Sequence, residues 1–492
     1  MKIKIIFSII CLFFIGCTIS EKTNIRIFPP KTGTVLVRPF VEMCGETNAV
    51  IVWQIKDTEN SYLLFKKEDN EPKIIPAFYS NDIFRAVISK LSPNTIYFYK
   101  IAGTENQFSK FRTLSKERKN YSFGVLGDNR TNPDKFKNIA DKISKFDVDF
   151  FVHTGDLMVD GRQKKQWYKQ WFTPGHSMFQ KAPVLVAWGN HEHPWVKKSY
   201  LHTFYPDRSQ FKSKGYYSYQ NGHVLFVYIN TFEPFKPGTK QYIWLENKLK
   251  NCKLPFIVAA LHVSAFTGAG HTKGADVREV RQYVIPLLQK YNVSLVVSGH
   301  DHVYDRSEYN GTTYVIAGGA GAPLYDPHTF LNPFSVKAEK TLNYMICNVS
   351  DKKITSKVYN MDGNVIDSFT ILPRKIPGAV PQAFATFRPP YHNKVQSTDF
   401  DVYIRHFTRE HIAAQVSGQA SNEISGTVAT DISEDFEVLP SNNFEFKIGA
   451  DEPLKNLNFK LKIKNKNKKD YPVKITVFLP DVTNKMEFIL KQ

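Results

Sequence analysis

Apolar positions divide this chain into three stretches with different periods. Between Thr34 and Leu114, short runs follow one another with turn-forming residues between them: VLVRPF, AVIVWQI, SYLLFKK, IFRAVIS, TIYFYKIA and FSKFRTL. Their spacing and alternation predict an N-terminal β-sandwich over 34–115, with Trp53 in its core. Over 119–372 the pattern changes. Apolar runs such as FFVH, VLVAW, IVAAL and LVVSG alternate with stretches of helical period, PDKFKNIADKISKF, GTKQYIWLENKLKN and VREVRQYVIPLLQKYN. Strand–helix alternation predicts an α/β core. Beyond the linker PRKIPGAVP (373–381), period two returns in Phe444, Phe446 and Ile448, in Leu457, Phe459, Leu461 and Ile463, and in Val473, Ile475 and Val477. That predicts a C-terminal β-sandwich over 382–492 of undisclosed role. The chain reads as multidomain.

The polar residues that end the runs of the middle stretch carry the chemistry. Asp128 stands in GVLGDNR, Asp156 in FFVHTGD, Asn190 and His191 in VLVAWGNHE, His262 in IVAALH, and His300 and His302 in LVVSGHDH. Side chains just past a strand lie at the carboxyl edge of a sheet, where open α/β folds build their sites. Packing alone does not account for such a series. Carboxylate, amide and imidazole suit two hard-to-borderline cations, and one carboxylate can bridge them. Such pairs sit about 3.5–4 Å apart and generate hydroxide near neutral pH. No Cys accompanies the motifs, which argues against a structural zinc site.

GD, GDL, GNHE, a lone His after a strand, and GHDH, in that order, resemble the motifs of the calcineurin-like metallophosphoesterases. The set is most similar to the purple acid phosphatase branch. That branch also carries an N-terminal fibronectin-like domain, and its last motif continues into Tyr-x-Arg. Here the continuation is Val303-Tyr304-Asp305-Arg306, and the segment LSPNTIY, ending at Tyr97, resembles a fibronectin tyrosine corner. The resemblance covers residues 33–372 and implies a four-layer α/β sandwich for the catalytic domain. It implies two metal ions, of zinc, iron or manganese, bridged by Asp156. Asp128 and His302 would complete the first metal position, and Asn190, His262 and His300 the second. His191 would act as general acid or stabilise charge on the phosphoryl oxygen. Arg130, His271 and Tyr304 would face substrate.

Two positions depart from the family. Val159 stands where the purple branch has its Tyr, and Arg130 where many other members have a His. Only Asp128, Asp156 and His302 then serve the first metal. Arg130, always cationic, suits a phosphate oxygen better than a metal and reads as a phosphate clamp. His153 reads as core or as a neighbour of the ligands, His193 as pocket rim, His176 and His202 as surface. Asp160 and Asp301 read as solvated carboxylates. Gly318-Gly319-Ala320-Gly321 suits a tight turn or a phosphate cradle.

Composition narrows the partners. The 492 residues are 42% hydrophobic and 23% charged, as in globular proteins. The net charge of +19 comes from basic residues spread along the chain, so no nucleic-acid partner is expected. The densest cluster, KLKIKNKNKK (460–469), begins by alternating and reads as a solvated strand face. A positive field would still draw phosphorylated substrates. Met1–Ser20 has Lys2 and Lys4, an apolar run from Ile5 to Ile15, and Gly16-Cys17. It reads as a lipoprotein-type signal peptide followed by a tether over 21–33. Cys17 would carry lipid and attach the chain to a membrane, as an exported bacterial lipoprotein of the outer membrane or cell surface. Cys44, Cys252 and Cys347 remain, too few and too odd for a disulfide framework. A Cys252–Cys347 pair and three buried thiols both stay open.

The expected function is that of an exported phosphohydrolase in which metal-activated hydroxide attacks the phosphorus of a phosphomonoester. The alternatives are a diesterase or a nucleotide or phospholipid hydrolase with the same site, and an inactive surface-binding lipoprotein.

Overall fold

The computed structural model describes residues 33–374, apart from 81, 106, 193–199, 201–214, 329–331 and 333, and the strands between 383 and 491. Residues 1–32, which hold the leader, Cys17 and most of the tether, lie outside the described residues. Among those described, no helix is long and apolar enough to cross a membrane.

Two four-stranded antiparallel sheets open the chain. One has the order Thr34–Cys44, Asn48–Lys56, Ile83–Ser89, Phe78–Ser80. The other has Lys73–Pro76, Tyr62–Lys67, Ile96–Ile101, Ser109–Arg112. Trp53 is buried and donates from Nε1 to Ser61 Oγ at 3.0 Å. The Tyr97 hydroxyl accepts the backbone N–H of Ser92 at 2.9 Å and so closes the corner. This unit rests on the helical segment 164–179. Phe40 packs 5.3 Å from Phe172 and 5.8 Å from Phe179, and Tyr168 donates its hydroxyl to Gln54 Oε1 at 2.8 Å.

The middle stretch builds two mixed sheets. The six-stranded sheet has the order Val184–Val186, Phe150–His153, Tyr121–Leu126, Asn343–Val349, Ile354–Asn360, Val365–Ile371. The seven-stranded sheet has the order Tyr217–Asn221, Val224–Ile229, Phe256–Val263, Leu295–Gly299, Thr312–Ala317, Tyr304–Tyr309, Ser335–Glu339. The three motif-bearing strands of the first sheet pair in parallel, as do Phe256–Val263 and Leu295–Gly299 of the second. Their carboxyl ends therefore face the same way within each sheet. Between the sheets, the Phe226 ring meets Phe123 at 5.2 Å and Phe150 at 5.1 Å, edge-on in both cases. Such contacts add about 0.5–1.5 kcal/mol each beyond the area they bury.

Helices cover the outer faces. Pro133–Ile143 starts where Asn132 Oδ1 accepts the Lys135 N–H at 3.1 Å, and buries Phe136, Ile139, Ala140 and Ile143 on one stripe. The helical stretch expected over 277–292 is present as a continuous run over 275–290, with one wide turn inside it. Ala275–Glu279 and Ile285–Lys290 are α-helical, and Val280–Val284 between them is a wide π turn. Pro286 is the physical reason: it has no N–H for the preceding turn, and its ring crowds the carbonyl there.

Cys44, Cys252 and Cys347 are buried free thiols, and Cys252 and Cys347 lie in different apolar clusters. The disulfide alternative falls away. The C-terminal stretch forms two further four-stranded antiparallel sheets, and its strands Asn443–Gly449, Leu454–Ile463 and Asp470–Phe478 match the period-two runs. Phe446 and Val477 are buried and join the apolar cluster that includes the helix Ile285–Lys290.

Tyr304 and Arg306 tie the two central sheets together. The Tyr304 hydroxyl and Arg306 Nε each donate to Asp367 Oδ2 at 2.7 Å. Tyr304→Phe removes one of these bonds and should destabilise the protein by about 1 kcal/mol, read as a lower urea midpoint. KM should stay at the wild-type value; a raised KM would return Tyr304 to the substrate.

Candidate metal centre

Three of the motif residues sit in backbone that most side chains avoid. Asp128, Asp156 and His300 have φ of +57°, +60° and +69°. A left-handed residue other than glycine costs about 1–3 kcal/mol. Glycines make room beside them. A Cβ on Gly189 would lie 2.2 Å from Asp156 Oδ1, and one on Gly299 2.1 Å from Asp128 Oδ2. Buried Glu192 fixes the turns, accepting the backbone N–H of Asp156 at 3.2 Å, of Gly189 at 2.8 Å and of Leu157. Burial, reinforced by Asp156, pushes the Glu192 pKa up to about 8.

The two sheets deliver their donors to one place. Asp128, Asp156 and Asn190 follow strands of the six-stranded sheet; His262, His300 and His302 come from the seven-stranded sheet. Asn190 Oδ1 lies 3.0 Å from His262 Nε2 and 3.1 Å from His300 Nδ1, and these nitrogens are 3.2 Å apart. His262 Nε2 is also 3.4 Å from Asp156 Oδ1. On the other side of Asp156, His302 Nε2 stands 3.7 Å from Asp128 Oδ1.

Each imidazole is held by its outer nitrogen. The Thr154 carbonyl takes His262 Nδ1 at 2.7 Å, and the Pro323 carbonyl takes His302 Nδ1 at 2.7 Å. Asp276 Oδ2 lies 3.2 Å from His300 Nε2. Outer contacts of this kind select the tautomer and turn a lone pair inward. Burial lowers the His262 pKa to about 3, and burial with Arg130 alongside lowers that of His302 to about 4, so both are neutral at pH 7. Burial and the nearby Asp156 raise the Asp128 pKa well above the carboxylate range. Burial acts the same way on Asp156, but His262, His191 and Arg130 outweigh it and hold that pKa low.

Arg130 turns inward. Its Nε donates to Asp156 Oδ2 at 3.1 Å and its Nη2 to His302 Nε2 at 3.3 Å. The guanidinium thus sits among the residues expected for the first metal, instead of reaching out as a phosphate clamp. Val159 contributes only its carbonyl, which accepts His191 Nδ1 at 2.5 Å. That bond leaves His191 Nε2 facing Asp156 Oδ2 at 3.6 Å, with the side chain about a fifth exposed.

Several residues stand elsewhere than expected. Tyr304 is fully buried on its strand with its hydroxyl on Asp367, so it does not line the site. Asp301 is not solvated: it is buried and accepts His271 Nδ1 at 3.1 Å, the His271 N–H at 2.9 Å and Ser264 Oγ at 3.2 Å. The hydrogen bond from Asp301 raises the His271 pKa, and the half-exposed His271 ring stacks on His300 at 3.8 Å. Asp160 is held by Arg162 at 2.8 Å. In the glycine group, Ala320 N donates to Gly127 O and Ala322 N to Asp128 O, both at 2.9 Å, so this segment braces the Asp128 turn. His153 is core, against Trp171, and His176 pairs with Arg38. His193 and His202 lie outside the described residues.

Sequence reasoning missed four participants: Glu192, Asp276, Tyr325 and Gln170. Glu192 had a signal, its place in GNHE. Tyr325 had none, yet its ring stacks on His302 at 4.4 Å. Gln170 Oε1 accepts Thr131 N at 3.2 Å and Val159 N at 3.0 Å, and so joins the turns behind the two carboxylates.

The model of the calcineurin-like phosphoesterase family matches residues 121–304, a span that contains every ligand-type residue described above. Residues 121–304 form a calcineurin-like phosphoesterase domain. Its relatives are purple acid phosphatases. The chain is 30% identical over 247 residues to probable purple acid phosphatase 20 of Arabidopsis thaliana, covering 46% of this chain and 56% of that one. It is 27% identical over 279 residues to purple acid phosphatase 21 of the same plant, covering 52% and 62%. It thus spans little more than half the length of these curated relatives. A purple acid phosphatase from yellow lupin (Lupinus luteus) seeds has the same fold, with a TM-score of 0.58 at 18% identity over 68% of this chain and 74% of that one.

Kinship with these metallophosphoesterases implies a pair of metal ions. At the second position the residues fit: Asn190 Oδ1, His262 Nε2, His300 Nδ1 and an Asp156 oxygen, all atoms able to ligate a metal, converge. At the first, Asp128, Asp156 and His302 converge, but the Arg130 guanidinium meets two of them.

Gly189→Ala tests the close approach. Its Cβ would lie 2.5 Å from the Asp156 backbone N as well as against the carboxylate, so the Asp156 turn must shift. In the wild type, adding Mn²⁺ should raise Tm, as any ligand of the native state does. In Gly189→Ala that rise should vanish in differential scanning fluorimetry; a full rise would show that the turn tolerates the methyl.

Proposed function

We propose that this chain is an exported metal-dependent phosphohydrolase acting on phosphomonoesters. The observation that carries the reading is the inward-facing set of acceptors at the second position, placed against the Asp156 carboxylate with His191 beside it. Bound metal would supply hydroxide near neutral pH and offset phosphoryl charge. The remaining work falls to this chain's own groups. Asp156, Asn190, His262 and His300 would hold the second position, and Asp128 and His302 stand opposite. His191, with Nδ1–H fixed on the Val159 carbonyl, would keep a proton at Nε2 for the departing alkoxide. His271, whose cation Asp301 favours, would pair with a phosphate oxygen. A monoester dianion suits these positive groups better than a diester monoanion.

A panel comparing p-nitrophenyl phosphate with its bis-ester, on metal-reconstituted full chain, tests the reading. The monoester should have the higher kcat/KM. A preference for the bis-ester would favour a diesterase, and no turnover of either would favour a binding lipoprotein. His191→Ala should lower kcat by about 10²–10⁴, the scale of a positioned acid or base, with metal content unchanged. Metal loss in that variant would make His191 a ligand.

Export follows from the leader. Cys17 after Gly16, behind the Ile5–Ile15 run, supports lipidation. The wild type should fractionate with membranes and Cys17→Ser should not. A single acyl chain holds only marginally, so stable anchoring needs the multiple chains of a lipoprotein. A wholly soluble wild type would defeat this part of the proposal.

A further inference from the structure

We infer that Arg130 serves as the resident cation at the first metal position, so that this domain binds one exchangeable metal ion where its kinship implies two. The inference rests on the metal-dependent reading above and deepens it. The two halves of the centre differ in what their acceptor atoms meet. At the second position, Asn190 Oδ1, His262 Nε2 and His300 Nδ1 lie 3.0–3.2 Å apart; the Thr154 carbonyl holds His262 Nδ1 on the outer side, and Asp276 Oδ2 lies 3.2 Å from His300 Nε2. A cation among these three atoms would serve all of them at once.

At the first position the donors are already present. Arg130 Nε–H serves Asp156 Oδ2 at 3.1 Å, and an Nη2–H serves the lone pair of His302 Nε2 at 3.3 Å, whose proton is held on Nδ1 by Pro323 O. A planar fork of fixed donors reaches both acceptors at once. Arg130 is also held in place. Its backbone N donates to Asp156 O at 3.3 Å, and Gln170 pins Thr131 N next to it. Its side chain is about one-sixth exposed. The position is short of ligands as well: Val159 offers no donor side chain, and its carbonyl is taken by His191. Asp128 already accepts the His300 N–H at 3.1 and 3.2 Å.

The competing arrangement has Arg130 swing outward to clamp phosphate and leave both positions to metal. Metal stoichiometry separates the two. Full chain stripped by chelator, reloaded with excess Mn²⁺ and desalted should hold about one ion, with the EPR spectrum of an isolated Mn²⁺. Arg130→Ala and Arg130→Gln, each checked for native near-UV dichroism, should hold about two, with a spin-coupled spectrum. In the wild-type background, His262→Ala should abolish binding and His302→Ala should leave it. Two coupled ions in the wild type overturn the inference, and do so without touching the phosphohydrolase reading if that protein turns over p-nitrophenyl phosphate. One ion in both Arg130 variants also overturns it, as does a single wild-type ion lost on His302→Ala. No ion in any variant overturns both the inference and the reading.

Discussion

Everything at the centre of this fold answers one problem, two carboxylates buried side by side. Asp128 and Asp156 are 0% and 1% exposed. Each loses hydration and each opposes the ionisation of the other. The surroundings supply the compensation in layers. Backbone N–H groups point at both: His300 N at Asp128, His191 N at Asp156. Imidazole rings turn toward them, and a guanidinium lies against Asp156. To place the carboxylates there at all, the chain accepts left-handed backbone at both, and glycines at 189 and 299 leave no Cβ in the way. Structures that concentrate strain and like charge in this manner do so at functional sites.

The constraint reaches well beyond the residues that touch a ligand. Asn129, between Asp128 and Arg130, donates its amide to the carbonyls of Leu157 and Gln170, both at 2.9 Å. Gln170 in turn holds the turns at Thr131 and Val159. Gln170 belongs to the segment on which the N-terminal sheets rest, through Phe40 and Gln54. Among its described residues, the N-terminal unit contributes no acid, base or ligand to the centre. It supports the piece of chain that keeps the two carboxylate turns in register.

What the sequence disclosed follows from what is local. Strand ends are local: an apolar run followed by Asp, Asn or His marks a sheet edge, and each of the six ligand-type residues does lie at such an edge. Tyr97 and its corner are local too. Contacts between distant segments were not legible. Asp301, between two histidines, reads as solvated until the loop carrying His271 comes over it and buries it. Tyr304 lies next to a motif in sequence but two strands' width of sheet turns it toward Asp367. The helix expected through Pro286 forms, and the wide turn within it has a local cause, the missing N–H. Arg130 is the instructive case. Its present partners, Asp156 and His302, stand far from it in the chain, so the sequence does not mark them.

The two halves of the centre also differ in what covers them. Tyr325 lies over His302, and Arg130 fills in beside it. At the other half, the partly exposed His271 stacks on His300, while His191 faces Asp156 Oδ2, the oxygen that Arg130 also meets. His271 is therefore the partly exposed ring beside the second position, and His191 stands at the carboxylate between the two halves. A single metal held at the second position would adjoin the His300 ring on which His271 stacks, and a fixed guanidinium on the covered side would still offset the charge of Asp156. In phosphoryl transfer, where catalysis is mostly positioning and charge, the second cation need not be one that exchanges.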